Sequence, residues 1–559
     1  MYEHPSASVR SLIGGVLACA ALVLAAIGIG GDFPLSDDWS YAYAVRSLCV
    51  DGELRMLPWT GASLVLQAWY GALLCKLFGF SFEVLRASTV AMATAGAIGF
   101  ALLLNEAGIR GRVAALAIAT VGLSPLYVNL AFTFMTDVPF TVLCIWSGWL
   151  YVRGLRRGET AALIAGAVVC SAALLIRQHG LFLAAAAIGA SLWPGPTAAR
   201  SRLRTAAAAG LAPILVFIAF HVWLFAIHGA PSGVQNKVAE VGLFSVVGVG
   251  NLAFRAVEYL GLLLLPIAAA QAGTVWRDAP GRLAAVGTVL GAAALFLYAR
   301  DGELMFYLPY VLHDLGLGAL TLRDTLFLGE DPPLHVGVGL GVTLSLASTA
   351  AASVLVTAYW TAMDRRPTAP HAFLIYALAL LVAGSLLHVA FYFDRYLLPA
   401  LPFAVAAALL CLPISRVGSG SWLAAALLAW WAVAGTHDSL EWNRARFAAI
   451  AALEREGFDA REIDGGVEYN AWHLADRLGD WPTTEEVRRG QPATRKSWWW
   501  VVDDRFIVSF RPLRGYDVRD SIGYSRWLVP GTGRVLVLER ETVPPRPGPS
   551  NGPVPLSTR

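Results

Sequence analysis

Long, nearly uncharged apolar runs recur along this 559-residue chain, and they limit its fold more than any other feature. Leu12 to Gly30, Phe82 to Asn105, Ala206 to His228, Val336 to Trp360 and His371 to Phe391 are each long enough, as helix, to cross roughly 30 Å of hydrocarbon. Hydrophobic residues make up 57% of the chain and charged residues 14%, against roughly 25% charged in a soluble domain. No water-soluble globule could cover that apolar surface. The predicted fold is a polytopic α-helical membrane protein with about 13 spans, followed by a small soluble α/β or α+β domain.

The charges between the runs set the topology. Arg110 and Arg112; Arg153, Arg156 and Arg157; Arg200, Arg202 and Arg204; Arg277 and Arg282; Arg365 and Arg366; and Arg416 form short basic clusters, which the positive-inside rule places in the cytoplasm together with Arg10. The loops facing outward are then 32–82, the stretches around Asp137 and Arg177, 230–251, 300–334 and the stretch around Asp394. Gly61 to Phe80 is apolar, but counting it as a span would invert every later cluster, so it is expected to be a juxtamembrane or re-entrant piece. An N-terminal span that is retained, with a cytoplasmic N-terminus and an odd span count, puts the tail outside.

Residues 1–436 read as the membrane domain and 437–541 as the extracytoplasmic one, with a helix near Glu441 to Glu456 and strands at Trp498 to Phe510 and Arg534 to Leu538. The Pro-rich stretch 542–559 is expected to be disordered. A net charge of +3 gives no sign of a nucleic-acid partner. The six cysteines, without CxxC spacing, read as packing residues; Cys49 and Cys75 share one loop, where pairing is the open alternative.

Ionisable residues at span ends are costly and therefore candidates for function. Three places on the outer face carry them. Asp37 and Asp38, beside Trp39 and Tyr41, follow the first run, and Asp137 lies in Met135-Thr136-Asp137-Val138-Pro139. Arg177 with Gln178, and Arg395 with Tyr396, supply the cations. Helix capping would account for each acid alone, and snorkelling to headgroups for each arginine. Together, acids and arginines on one leaflet suit chemistry on a lipid-linked phosphate, and no Walker, GxGxxG, HExxH or GxSxG motif competes.

In order and spacing these motifs resemble those of the GT-C glycosyltransferases, the superfamily of protein O-mannosyltransferases and lipid A aminoarabinose transferases, and more closely a bacterial family-39-like branch. The resemblance runs from Asp37-Asp38 through Phe78-Gly79-Phe80-Ser81, Leu85-Arg86, Met135-Thr136-Asp137, Arg177-Gln178 and Arg395-Tyr396, and more weakly to Ile463-Asp464-Gly465-Gly466. It implies a bacterial plasma-membrane enzyme that moves a sugar from a polyprenyl phosphate to an acceptor hydroxyl on a glycan, lipid or protein. It implies Asp37 as catalytic base, supported by Asp38 and Asp137; Arg177, Gln178, Arg395 and Tyr396 at the donor phosphate; and Trp39, Tyr41 and Trp59 at sugar or acceptor. The family's acidic pair is usually Asp-Glu, one methylene longer than here. Its Lys or His before a Pro-Pro is also missing, since this chain has Met56-Leu57-Pro58-Trp59, and Arg55 is the candidate to supply that charge.

Successive residues on a helix point about 100° apart, so Asp37 and Asp38 cannot both approach one hydroxyl. Carboxylates also suit Mg or Mn, which keeps a divalent cation open. Two other classes fit the composition. A transporter or flippase of lipid-linked sugars would place charges at mid-span and often show internal repeats. The other is an O-antigen ligase or polymerase using a diphosphate-linked oligosaccharide, against which the early Asp-Asp motif argues through the resemblance.

Overall fold

The structure, a computed structural model, describes residues 9–193, 198–240, 245–363, 368–388, 392–414, 416–474 and 504–541. It opens with α1 (Val9–Ile27), two helices of the first outer loop, α2 (Asp38–Val50) and α3 (Val65–Phe78), and then α4 (Phe82–Glu106). Next come α5 (Gly111–Gly122) and α6 (Pro125–Ala131), bent by 56° relative to one another. The break has a local cause. Ser124 caps the new helix by accepting from Tyr127 N–H, and Pro125 at its first turn has no N–H to continue the old one.

The bundle continues with α7 (Asp137–Arg157), α8 (Thr160–Leu174), α9 (Gly180–Ser191), α10 (Ala199–Val222), α11 (Ser232–Glu240), α12 (Val246–Leu263), α13 (Leu265–Asp278) and α14 (Pro280–Asp301). After a long loop follow α15 (Val338–Met363), α16 (Ala369–Ser385), α17 (Leu401–Cys411), α18 (Ser419–Arg455) and α19 (Val467–Leu474). Small residues bring helices together where no hydrophobic drive exists in lipid. A Cβ on Gly154 of α7 would lie 2.6 Å from Leu163 of α8, and one on Gly148 would lie 2.9 Å from Phe403 of α17.

Among the described residues, eight helices are long and apolar enough to cross a membrane, or nine if the α5–α6 pair is one span. The sequence expectation of about 13 also counted apolar runs that fold as shorter helices, such as Thr160–Leu174, Gly180–Ser191 and Ala369–Ser385. The apolar segment of the first outer loop is α3, whose 14 residues reach only about 21 Å. It starts against the turn before α9, with Leu64 and Leu66 N–H donating to Ile176 and Leu175 carbonyls. The 21 residues of α7 rise about 31 Å, so Asp137 at its start and Arg156 and Arg157 in its last turn lie one hydrocarbon thickness apart.

No cysteine pairs with another among the described residues, Cys49 and Cys75 included. The expected helix at 441–456 is the C-terminal end of α18, which runs 37 residues without interruption across the 436/437 division. The tail carries a four-stranded sheet of order β1-β2-β4-β3: β1 (Ile463–Asp464), β2 (Phe506–Ser509), β3 (Tyr516–Arg526) and β4 (Gly531–Arg540). The first pair is parallel and the others antiparallel. Its core joins Phe506, Val535 and Val537 to Trp442 and Ile450 of α18 and to Leu320 and Leu322 of the loop before α15. The expected strand from Trp498 begins outside the described residues, as does the stretch 542–559.

Candidate active site

Four segments far apart in sequence bring their charges to one point at the ends of the helices. Arg395 is the centre: Nη2 lies 3.1 Å from Asp37 Oδ2, and Nη1 lies 3.2 Å from Asp137 Oδ2. Arg177 closes the row, with Nη2 3.0 Å from Asp137 Oδ1 and Nε donating to Thr136 Oγ1 at 2.7 Å. Two carboxylates and two guanidiniums make the row neutral overall. Its members come from the turn before α2, the first residue of α7, the turn between α8 and α9, and the helical turn preceding α17.

Capping does not explain the acids. Asp37 is the N-cap of α2, and Thr136 precedes Asp137 at the start of α7, yet neither cap side chain bonds its helix. Asp37 instead accepts from Trp59 Nε1 at 3.0 Å, while Asp137 is completely buried between the arginines. Snorkelling does not explain Arg395 either. Its side chain is 5% exposed and lies over the rings of Tyr310, Phe393 and Tyr396, at 4.2 to 5.4 Å from their centroids. Asp394 fixes the turn by accepting from Val311 and Leu312 N–H at 3.2 and 2.5 Å.

The acids differ in what they can reach. The Asp37 side chain is 26% exposed and that of Asp137 0%. Asp38 points away, as helix geometry requires: it is 2% exposed and accepts from Leu35 N–H at 2.6 Å and Phe134 N–H at 3.2 Å, tying the first outer loop to the segment before α7. Burial pushes its carboxyl up to about 7, against those two N–H groups. Tyr41 is buried beside the row, and burial holds its phenol well above 10, so it stays neutral.

Other expected residues fall differently. Tyr396 is at the site, under both Arg395 and Arg177. Gln178 follows Arg177 in the same turn and is half-buried. Trp59 touches Asp37, whereas Trp39 is completely buried and packs with Leu57, Val467 and Ala471. Arg55 is a correction: its side chain is 54% exposed and pairs with Asp51 and Glu53, neighbours that neutralise it on the surface.

The carboxylates do not fit a divalent cation. Asp37 and Asp137 are already paired with two guanidiniums, so a dication would have to displace an arginine to reach them. Among the described residues no group of three or more His, Cys, Asp or Glu side chains could hold a metal.

Sequence reading missed Thr136 as a partner of Arg177 and Tyr310 as the ring over Arg395. Thr136 lay inside a quoted motif. Tyr310 sits in a loop with several aromatics, and nothing local singles it out.

Residues 64–224 match the family described as dolichyl-phosphate-mannose-protein mannosyltransferase. The chain is similar to the structure of ArnT from Cupriavidus metallidurans bound to undecaprenyl phosphate, at 15% identity over 94% of this chain and 97% of that one, with a TM-score of 0.39. It is also similar to the oligosaccharyltransferase of Archaeoglobus fulgidus tethered with an acceptor peptide, at 13% identity over 76% of this chain and TM-score 0.41. It spans about half (55%) of that longer protein. No curated protein matches. The matched residues include Asp137 and Arg177.

Proposed function

We propose that this protein transfers a sugar from a polyprenyl-phosphate donor to an acceptor hydroxyl at the outer face of a bacterial plasma membrane, with inversion at the anomeric carbon. One observation carries the reading: of the three acids, Asp37 alone combines a partly exposed carboxylate with a fixed position, held by Trp59 and by an arginine shared with a buried acid.

In the proposed step the acceptor oxygen attacks the anomeric carbon, its proton passes to Asp37, and the bond from that carbon to the phosphate oxygen breaks. A phosphate diester leaving as a monoester needs no acid but does need its growing charge met, and cations fixed in a low-dielectric site do that. Arg177 is the better placed of the two, since its side chain is 11% exposed against 5% for Arg395. Arg395 instead orients Asp37 against Asp137. Direct displacement with a base on the far face inverts the centre.

A transporter would carry its charges at mid-span, whereas this row sits at helix ends. The basic turns one hydrocarbon thickness away favour an outward site under the positive-inside rule. The test is the cell-envelope glycan profile with and without the protein, followed by transfer with purified protein and the polyprenyl-phosphate sugar so identified. A donor flipped but never cleaved would sink the enzyme reading.

A further inference from the structure

The turn carrying Asp37 is braced from the tail. Ser36 sits at φ 60°, a left-handed conformation that serine keeps only when its surroundings fix it. Its N–H donates to Glu468 Oε1 at 3.1 Å, across 432 positions of sequence. Glu468, on α19, is 2% exposed, and its other oxygen accepts from Thr321 Oγ1 at 2.5 Å and Arg446 Nη2 at 2.9 Å. Arg446 is fixed in turn by the Gly465 carbonyl and Asn443 Oδ1. The approach is tight: Gly466, at φ 91°, could not carry a Cβ without meeting Arg446 at 2.5 Å and the Thr321 carbonyl at 3.0 Å.

A second contact runs from the same helix to the same acid. Val467 and Ala471 pack with Trp39 against Trp59, whose indole donates to Asp37. Trp472 stacks on Phe80 at 5.8 Å and meets Phe82 edge-on at 5.0 Å, fastening the far end of the first outer loop.

We infer that Glu468 is a positioning residue for the transfer, setting the Ser36–Asp37 turn so that the Asp37 carboxylate stands at the acceptor oxygen. The inference rests on the reading of Asp37 as base. Glu468 touches no reacting atom and acts through the Ser36 backbone. The competing role is that of counter-ion to buried Arg446 and nothing more.

Two conservative variants separate these roles. Glu468→Gln keeps the length and a carbonyl oxygen for Ser36 N–H but loses the charge. Glu468→Asp keeps the charge beside Arg446 but is a methylene short of Ser36. In the full-length protein, normalised to folded material by size exclusion and thermal unfolding, Gln is expected within about 3-fold of wild-type kcat. Asp is expected to fall about 10- to 100-fold at unchanged donor KM, the scale of a misplaced catalytic group. The reverse order would show a counter-ion only and overturn the inference. Should the Asp variant not fold, Thr321→Val, which loosens Glu468 without removing it, is expected to lower kcat about 3- to 10-fold, and an unchanged kcat would overturn it. In the Asp37→Asn background Glu468→Asp should add no further loss; a full additional loss means that it does not act through Asp37. Asp37→Asn alone with normal transfer would instead remove the base reading and this inference with it.

Discussion

Replacing Arg395 by lysine tests whether the row works as a forked bridge or as a stored positive charge. The guanidinium reaches Asp37 and Asp137 at 3.1 and 3.2 Å from its two terminal nitrogens while three aromatic rings fix its plane. A lysine ammonium is a single point donor with no planar fork, so it can hold one carboxylate at a time. Breaking a buried pair outright costs ~3 to 5 kcal/mol. Asp137 would keep Arg177 at 3.0 Å, so Arg395→Met should fall near the lower end of that range. Arg395→Lys should cost less stability but leave Asp37 loosely aimed, lowering kcat by about 10²-fold. Thermal unfolding in detergent, followed through the intrinsic fluorescence of the 19 tryptophans, measures the first quantity. Single-turnover transfer measures the second. Wild-type kcat in Arg395→Lys would refute the bridge, and wild-type unfolding in Arg395→Met would refute the energetic argument.

Arg177→Ala removes the cation proposed for the leaving phosphate and is expected to raise the barrier by ~2 to 4 kcal/mol in a purified transfer assay; unchanged transfer would make it structural. Arg55→Ala should stay within about 2-fold of wild type, because its exposed charge is spent on Asp51 and Glu53. Burial pushes the Asp464 carboxyl above its ordinary 3.8, against Asn470, Arg323 and the Gly466 N–H. A raised acid contributes stability that is present below 3.8 and lost as pH rises through its folded pKa. Asp464→Asn, which keeps an acceptor for Asn470, should therefore gain stability relative to wild type on going from pH 4 to pH 8. A constant difference across that range would contradict this.

Much of this was legible in the sequence because lipid makes some patterns obligatory. Apolar runs had to be helices, and Asp37, Asp137, Arg177 and Arg395 stood out as charges where charges are expensive. Helix geometry showed that Asp37 and Asp38 could not share one hydroxyl, and the resemblance singled out Asp37. The shorter helices were harder, since an apolar run carries no mark of where a Gly or Pro divides it. Arg55 was the candidate to replace the basic residue that the resemblance expects before Pro-Pro, and nothing local foretold that its side chain turns back to its own acidic neighbours. Glu468 and Tyr310 were invisible for a different reason. Their contacts are long-range, 432 positions from Glu468 to Ser36 and 85 from Tyr310 to Arg395, and neither has a local pattern that differs from ordinary loop or helix sequence.

The central claim is that Asp37 takes the proton, and Asp37→Asn tests it most directly. Asparagine keeps the size and an oxygen for the Trp59 indole while losing the basic site. In purified protein with a polyprenyl-phosphate sugar and its acceptor, transfer should fall by about 10²- to 10⁴-fold with the fold intact. Asp38→Asn, a residue that only ties two loops together, should reduce transfer far less per folded molecule. Near-normal transfer by folded Asp37→Asn would contradict the mechanism, whatever the arginine variants show.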